Sequence, residues 1–379
     1  LLGLRFAAAI DELGSPLSAS FALAVSGGGD SLALMHLSAD WLRARGLPIA
    51  RGSVLVVDHG LRQGSARDAK AAAEWAGQAG FAAEILRWRG AKPRANIEDA
   101  ARNARYRLLG DWCRDHGVAT ILLAHTRDDQ AETFLLRLGR GSGIDGLSAM
   151  RGRSGFPLGG YDGIEVVRPL LGVGRGELRA YLVERGIGWL EDPMNEDPRF
   201  ARVRIRQQVI PALESAGIGA VRIAQAARHL SRAREALDTD TKQFLDRHVR
   251  FSDEGTALLD GDALRAQPRE IGLRAISAVL MRVSGRTYRP RFERLEHLYD
   301  ALMKPTKART LSGCRVGAAH AGDRVFGTGT VEVRRERTRR RPSAHEPTER
   351  NTQRNDRFIA ASARKLPKKR RNITRLSGS

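Results

Sequence analysis

The run from Phe21 to Leu37, FALAVSGGGDSLALMHL, sets the tightest limit on the fold. Its apolar opening, Phe21 to Val25, reads as a buried strand that leads into Ser26-Gly27-Gly28-Gly29-Asp30-Ser31, and a helix from about Ser31 to Arg45 follows. Consecutive glycines accept φ values that other residues resist, so backbone N–H groups can turn inward, and the next helix adds its N-terminal amides and dipole. Such a loop suits an anion, pyrophosphate above all. It is not a Walker A loop, which needs GxxxxGK[ST], and it is not GxGxxG, because Leu32 stands third after Gly29. A plain glycine turn capped by Asp30 or Ser31 is the non-functional alternative. A strand before and a helix after favour a nucleotide.

The same alternation continues. Ser53 to Asp58, Glu84 to Arg87, Ala119 to Ala124 and Ile164 to Leu170 read as strands, with helices at Ala66 to Ala79, Asn96 to His116, Asp128 to Leu138 and Gly176 to Arg185. Strands separated by helices call for a doubly wound parallel α/β sheet. Glycine-rich Gly139 to Gly163 is expected to be a mobile loop. Beyond Pro211 the spacing of Ile218 to Arg250 and Ala263 to Val283 is helical, with short β-like runs at Arg309 to Val316 and Arg324 to Phe326. The expected layout is therefore a catalytic α/β domain over 1–212, a mainly helical domain over 213–330 and a basic, disordered tail over 331–379.

Charge and cysteine content narrow the partners. The chain carries a net charge of +21, about half of it in that tail, and a basic protein suits a polyanion because each neutralised phosphate releases counterions. Cys113 and Cys314 are the only cysteines and form no CxxC, which excludes a disulfide framework and a structural zinc site. No apolar run is long enough for a bilayer, and Asp11 and Glu12 interrupt the place of a signal peptide, so a cytoplasmic protein with no membrane partner is expected. Leu1 stands where an initiator Met would, which leaves the true N-terminus open.

Four more segments carry candidate chemistry. In Val56-Val57-Asp58-His59-Gly60-Leu61-Arg62 the second strand ends at the same sheet edge as the glycine loop, where open α/β sheets bind ligands. Asp58 and His59 are nucleotide-contact candidates there, although a lone loop histidine is ordinary. In His125-Thr126-Arg127-Asp128-Asp129-Gln130-Ala131-Glu132, a helix capped by Thr126 puts His125, Asp128, Asp129 and Glu132 on one face. Crowded carboxylates want a magnesium ion, an ammonium or raised pKa values, unless Asp128 and Asp129 merely complement the helix dipole. On the long third helix Glu98, Arg102, Arg105 and Tyr106 cluster, as phosphate contacts or as an ordinary intrahelical pair. Glu191-Asp192-Pro193-Met194-Asn195 leads into a stretch where Arg202 and Arg206 share a helix face.

SGGGDS resembles the SGGxDS signature of the N-type ATP pyrophosphatases, the PP-loop family, whose fold is adenine-nucleotide alpha-hydrolase-like. The ordered set SGGGDS, VDHGLR, ExxARxxRY, AHTRDDQAET with RGSGIDGLSAM, VRPLL and EDPMNxDxxFxRxxIR is similar to the tRNA(Ile)-lysidine synthetases over roughly Phe21 to Pro211. The block from His125 to Met150 is its specific part. One departure is visible: Val203 stands where that family usually has Asn, so side-chain contacts there do not carry over, while Arg202 and Arg206 remain.

The resemblance implies a two-step ligase that uses ATP, Mg2+ and L-lysine. It adenylates the first-anticodon cytidine of an isoleucine tRNA with a CAU anticodon, then displaces AMP with lysine. Ser26, Gly27, Gly28, Gly29, Asp30 and Ser31 would hold ATP, with Asp58 and His59 nearby. Asp30 and Asp128 would position magnesium, His125 and Asp129 would serve the chemistry, and Glu132 would take the lysine ammonium. Arg102, Arg105, Arg202 and Arg206 would contact tRNA or phosphate, and the glycine-rich segment would close over lysine and the flipped base. Oligomeric state stays open, a homodimer being one arrangement. The alternatives are a PP-loop tRNA thiolase, which needs a persulfide cysteine or a cysteine-held cluster, and a non-catalytic RNA-binding protein.

Overall fold

Alternation of side chains along the first two strands explains why helices cover both faces of one sheet. Phe21, Leu23, Val54 and Val56 pack to one side with Phe6, Leu34, Leu42, Ala72 and Leu182. Ala22 and Leu55 pack to the other with Tyr106, Leu109, Trp112, Cys113 and Ile121. Strands buried on both faces read as near-continuous apolar runs, which is why they were visible in the sequence. The structure, a computed structural model, describes residues 1–336 except 15, 16, 18, 91, 94, 95, 192–195, 254, 287 and 305–307.

The N-terminal half runs α1 (Leu2–Glu12), β1 (Phe21–Ala24), α2 (Gly29–Ala44), β2 (Gly52–Asp58), α3 (Ser65–Ala79), β3 (Ala82–Arg87), α4 (Ile97–Asp115), β4 (Thr120–Leu122) and α5 (Arg127–Leu138). It continues with α6 (Ile144–Leu147), β5 (Arg153–Gly155), β6 (Glu165–Val167) and α7 (Arg175–Glu184). The sheet order is β3-β2-β1-β4-β6-β5, parallel throughout except for antiparallel β5 at the edge. Strand order reverses between β1 and β4. At such a switch point the loops leaving adjacent strands diverge and open a crevice, here between Ser26–Ser31 and Ala124–Thr126.

The glycine-rich segment is not the mobile loop its composition suggests. It contains α6 and β5, and polar side chains of α5 hold it. Gln130 Nε2 donates to Met150 O at 2.9 Å and Gln130 Oε1 accepts the Met150 N–H at 2.8 Å. Arg137 donates to the carbonyls of Gly146 and Ala149 at 2.8 and 3.0 Å. Side chains thus satisfy backbone groups that glycines alone would leave to water.

After α7 come α8 (Ala201–Arg204), a π-helical turn Ile205–Val209, α9 (Ile210–Ser215) and the long α10 (Ala220–His248). The chain then folds as β7 (Val249–Phe251), β8 (Ala257–Asp260), α11 (Gly261–Ala266), α12 (Arg269–Ser284), α13 (Phe292–Leu302), β9 (Arg309–Leu311), β10 (Cys314–Ala318) and β11 (Thr330–Arg335). This half is mainly helical, as expected, and adds a five-stranded antiparallel sheet, β7-β8-β11-β10-β9, whose apolar side packs on α12 through Leu259, Val316, Val333, Ile276 and Leu280. The run Arg309 to Val316 is a hairpin: Ser312 and Gly313, at φ 54 and 75, make the tight turn between β9 and β10. Arg324 to Phe326 is not a strand. Val331–Arg335, expected to open the disordered tail, is β11 at the centre of this sheet. The rest of the tail, 337–379, lies outside the described residues, as does Asp192 to Asn195 of the EDPMN motif.

Candidate active site

The glycine loop is stitched by its own serines. Ser31 Oγ donates to Gly28 O at 2.8 Å and accepts the Ser26 N–H at 3.2 Å, and the two hydroxyl oxygens lie 3.3 Å apart. Gly28 caps α2, so Gly29, Asp30 and Ser31 form the first turn and their end of the helix carries its positive dipole. Gly27 has φ +85, and a Cβ there would sit 2.7 Å from Leu190 Cδ1. The Leu190 N–H donates to Gly27 O at 2.9 Å, so the segment after α7 clamps the loop. On the neighbouring strand Asp58 Oδ1 accepts the Gly60 N–H at 3.0 Å and shapes the turn carrying His59. All these residues but Gly27 and Gly60 line a cleft of about 820 Å³ that also takes in Arg105, His125, Asp129, Arg175, Arg202 and Arg206.

Helix α5 begins as its sequence indicates. Thr126 Oγ1 accepts the Asp129 N–H at 3.3 Å, and Asp129 Oδ2 accepts from the Thr126 N–H and hydroxyl at 2.8 and 2.9 Å, a capping box. One guanidinium organises the carboxylates, and it belongs to Arg175 at the start of α7. Its Nε reaches Asp30 Oδ2 at 3.2 Å, one terminal nitrogen reaches Asp129 Oδ1 at 3.2 Å and the other Glu132 Oε1 at 3.5 Å. The Arg175 N–H donates to Asp128 Oδ2 at 2.8 Å. Arg206 also takes Glu132 Oε1, at 2.7 Å, which leaves the fully buried Glu132 with an Oε2 that has no hydrogen-bond partner among the described residues.

Electrostatics follow from this packing. Burial raises the Asp30 pKa, and Asp129 and Asp128 add to the rise against the pull of Arg175. Asp129 goes the other way: burial would raise it, but Arg175 above all, with the Thr126 amide and Arg202, outweighs burial and lowers it. Arg175 is raised in turn, because Asp129, Glu132, Asp30 and Asp128 overcome its desolvation. His125 is pushed down to about 3 by burial, with Arg168, Arg105 and Arg202 acting in the same direction against Asp129, and its Nδ1 has no partner among the described residues. The imidazole is neutral.

The second cluster is cationic. The Arg102 and Arg105 guanidiniums lie 5.2 and 5.5 Å from the Tyr106 ring centre. Tyr106 is buried, which alone would raise its phenol, yet Arg102, Arg105 and Arg168 bring it below its ordinary value. Burial lowers Arg105 and Arg168, and neighbouring arginines add to the effect. The Nε atoms of both and the Tyr106 hydroxyl are buried without hydrogen-bond partners among the described residues. Buried cations without carboxylates call for an anion.

The candidates from sequence are thus drawn to one crevice, with differences. Asp128 serves the start of α7 through its Oδ2, and neither it nor Glu132 or Arg102 is among the cleft-lining residues. Arg206 is paired with Glu132, and Arg202 donates to Thr133 Oγ1 at 3.2 Å. Val203, the departure from the family pattern, is a buried apolar residue of α8. Arg175 and Arg168 were missed as site residues; Arg168 stands within the VRPLL run, and nothing near Arg175 in sequence signalled it. Among the described residues no three acidic, histidine or cysteine side chains are grouped as a metal site. A nucleotide-bound Mg2+ needs only one or two protein carboxylates beside phosphate oxygens, and Asp30, on the loop and partly exposed, fits that demand. Both cysteines are buried free thiols, and burial pushes Cys113 up to about 12.

A phosphate-type loop and an acidic crevice at one sheet switch point define an ATP-using α/β enzyme of the PP-loop class, and the PP-loop domain family model matches residues 4–213. A tRNA(Ile)-lysidine synthase from Ruegeria pomeroyi is 44% identical over 299 residues, 78% of this chain and 68% of that protein. One from Methylobacterium nodulans is 40% identical over 319 residues, 83% of this chain and 91% of that protein. The chain belongs to the tRNA(Ile)-lysidine synthase family of PP-loop proteins. Among solved structures, the U34-tRNA thiolase NcsA from Methanococcus maripaludis with its [4Fe-4S] cluster aligns at TM-score 0.48 and 16% identity, covering 60% of this chain and 80% of that one.

Proposed function

We propose that the protein is an ATP-dependent ligase that joins free L-lysine to C2 of the cytidine at the first anticodon position of an isoleucine tRNA with a CAU anticodon. The product, lysidine, changes codon reading from AUG to AUA. One observation supports the reading beyond family membership: Asp129 lines the crevice that also holds the phosphate loop, and Arg175 joins it to the fully buried Glu132, whose Oε2 is an unfilled acceptor. This supports a cation site for an amine next to an anion site for ATP.

The residues divide the work. Amides of Gly27 to Ser31 hold the β- and γ-phosphates and steady the pyrophosphate leaving group as the cytidine O2 attacks the α-phosphorus. Asp30 holds the Mg2+ that accompanies ATP, which supplies charge neutralisation at the phosphates. Asp58 and His59 border the nucleotide, and Asp128 fixes the start of α7 beside Asp30. Asp129 and Glu132 bind lysine through ammonium charge. The attacking amine must shed a proton, and a carboxylate or the neutral His125, whose Nδ1 has no hydrogen-bond partner among the described residues, would accept it. Arg102, Arg105 and Arg202 face RNA or phosphate, AMP leaves as the amine bonds to C2, and the basic surface steers tRNA in the cytoplasm.

The test is direct. Purified protein with ATP, magnesium, labelled lysine and unmodified isoleucine tRNA of CAU anticodon should yield, after nuclease digestion, a cytidine heavier by lysine less water. Folded, ATP-binding protein that incorporates no lysine would reject the proposal.

A further inference from the structure

The empty acidic crevice already contains a cation. One guanidinium, Arg175, spans carboxylates from two helices, Asp30 of α2 and Asp129 and Glu132 of α5, at 3.2, 3.2 and 3.5 Å. Glu132 has no exposed surface, and its Oε1 is shared by Arg175 and Arg206. An incoming ammonium therefore reaches Asp129 Oδ1 and Glu132 Oε1 only by taking the place of a guanidinium. Glu132 Oε2, buried and unpartnered, shows that the internal cations do not fill this site.

Arg175 is the guanidinium with somewhere else to go. It lines the cleft, keeps 18% of its side chain exposed and is tied through Nε to Asp30, a residue of the phosphate loop. Nucleotide phosphates seated on that loop offer the guanidinium a second anionic partner, and guanidinium binds phosphate oxygens in pairs. We propose that Arg175 is the resident counter-ion of the lysine subsite and moves onto the nucleotide phosphates when ATP binds, so that lysine binds after ATP. This rests on the lysine reading above. It makes Arg175 a positioning residue that orders substrate addition: the amine enters only when there is a nucleotide with which to react. A permanent brace would make lysine affinity indifferent to nucleotide. By linkage, any coupling is reciprocal, and lysine tightens ATP by the same factor.

The full chain would be titrated with labelled lysine in equilibrium dialysis, with and without magnesium and α,β-methylene-ATP, which cannot be cleaved between the α and β phosphates. Wild type should bind lysine at least about tenfold tighter with the analogue, and the analogue equally tighter with lysine. Arg175→Ala should bind lysine without nucleotide, bind the analogue more weakly and lose most of the coupling, whereas Arg175→Lys should keep part of it. Equal lysine affinity in wild type with and without the analogue overturns the inference and leaves the lysine reading standing, and it needs no variant. Unchanged coupling in Arg175→Ala overturns it too. Analogue binding with no lysine bound under either condition overturns the lysine reading, and this inference with it.

Discussion

The loop between β1 and α2 and the carboxylate cluster between α5 and α7 face the same crevice, yet they are held by different forces. The loop is local: Ser26 and Ser31, five residues apart, close it through each other, and Gly27 supplies the φ of +85 that its backbone needs. It is ready for an anion before any arrives. The cluster is assembled at long range, Arg175 lying 145 residues from Asp30 and 46 from Asp129, and it is held by charge. Steric construction gives a fixed anion site; electrostatic construction gives a cation site that an internal cation keeps occupied.

The sharpest way to break that contrast is Gly27→Ala. Left-handed φ costs an alanine about 1 kcal/mol or more, and the new Cβ would collide with Leu190 Cδ1 at 2.7 Å. Nucleotide affinity, read by calorimetry, should fall at least about a hundredfold, since a displaced loop loses several amide contacts together. Normal ATP binding in this variant would mean that the loop is not rigid. Asp129→Asn should have the next largest effect. It removes the Arg175 partner and weakens the capping box, costing about 1–2 kcal/mol of stability and about a hundredfold in lysidine formation. Glu132→Gln should act more narrowly, raising the KM for lysine about tenfold while pyrophosphate release changes little. A shift in the KM for ATP instead would show the two sites to be one.

The same contrast explains what could be read in advance. The apolar strands, the glycine loop and the Thr126 cap depend on neighbours within a few residues, so their spacing exposed them, and the parallel sheet followed from strands alternating with helices. Arg175 was missed because nothing near it in sequence marks it; its meaning comes from Asp30, Asp129 and Glu132, brought together only by the strand reversal at β1 and β4. Gly139 to Gly163 was misjudged for a related reason. Its order comes from Gln130 and Arg137, side chains of the preceding helix whose donors and acceptors reach back to Met150, Gly146 and Ala149. Of the C-terminal sheet only the Arg309 to Val316 run was read in advance, because most of its strands span three to five residues, too short for alternation to register, and its central strand Thr330–Arg335 runs into the basic segment.

The smallest effect tests whether His125 belongs to the electrostatic side of the contrast. Its pKa is about 3 in the folded chain and near its ordinary value of 6.5 when unfolded, so between those values the unfolded chain binds a proton that the folded one refuses. Folding stability from this group is therefore complete above about pH 6.5 and is lost as pH falls toward 3, at up to about 1.4 kcal/mol per pH unit. Asp129 adds an acid-side loss of its own, because its lowered pKa stabilises the fold above the ordinary 3.8 and that gain disappears below it. Between about pH 6.5 and 4 the histidine contribution stands apart from Asp129, and Asp30, whose raised pKa acts with the opposite sign, is present in both proteins and drops out of their difference. Denaturant melts of wild type and His125→Asn across that window should show a steeper fall for wild type, while ATP affinity at neutral pH stays within about twofold. Parallel slopes would place a protonated imidazole in the folded crevice, and the proton acceptor for lysine would then have to be sought among the carboxylates.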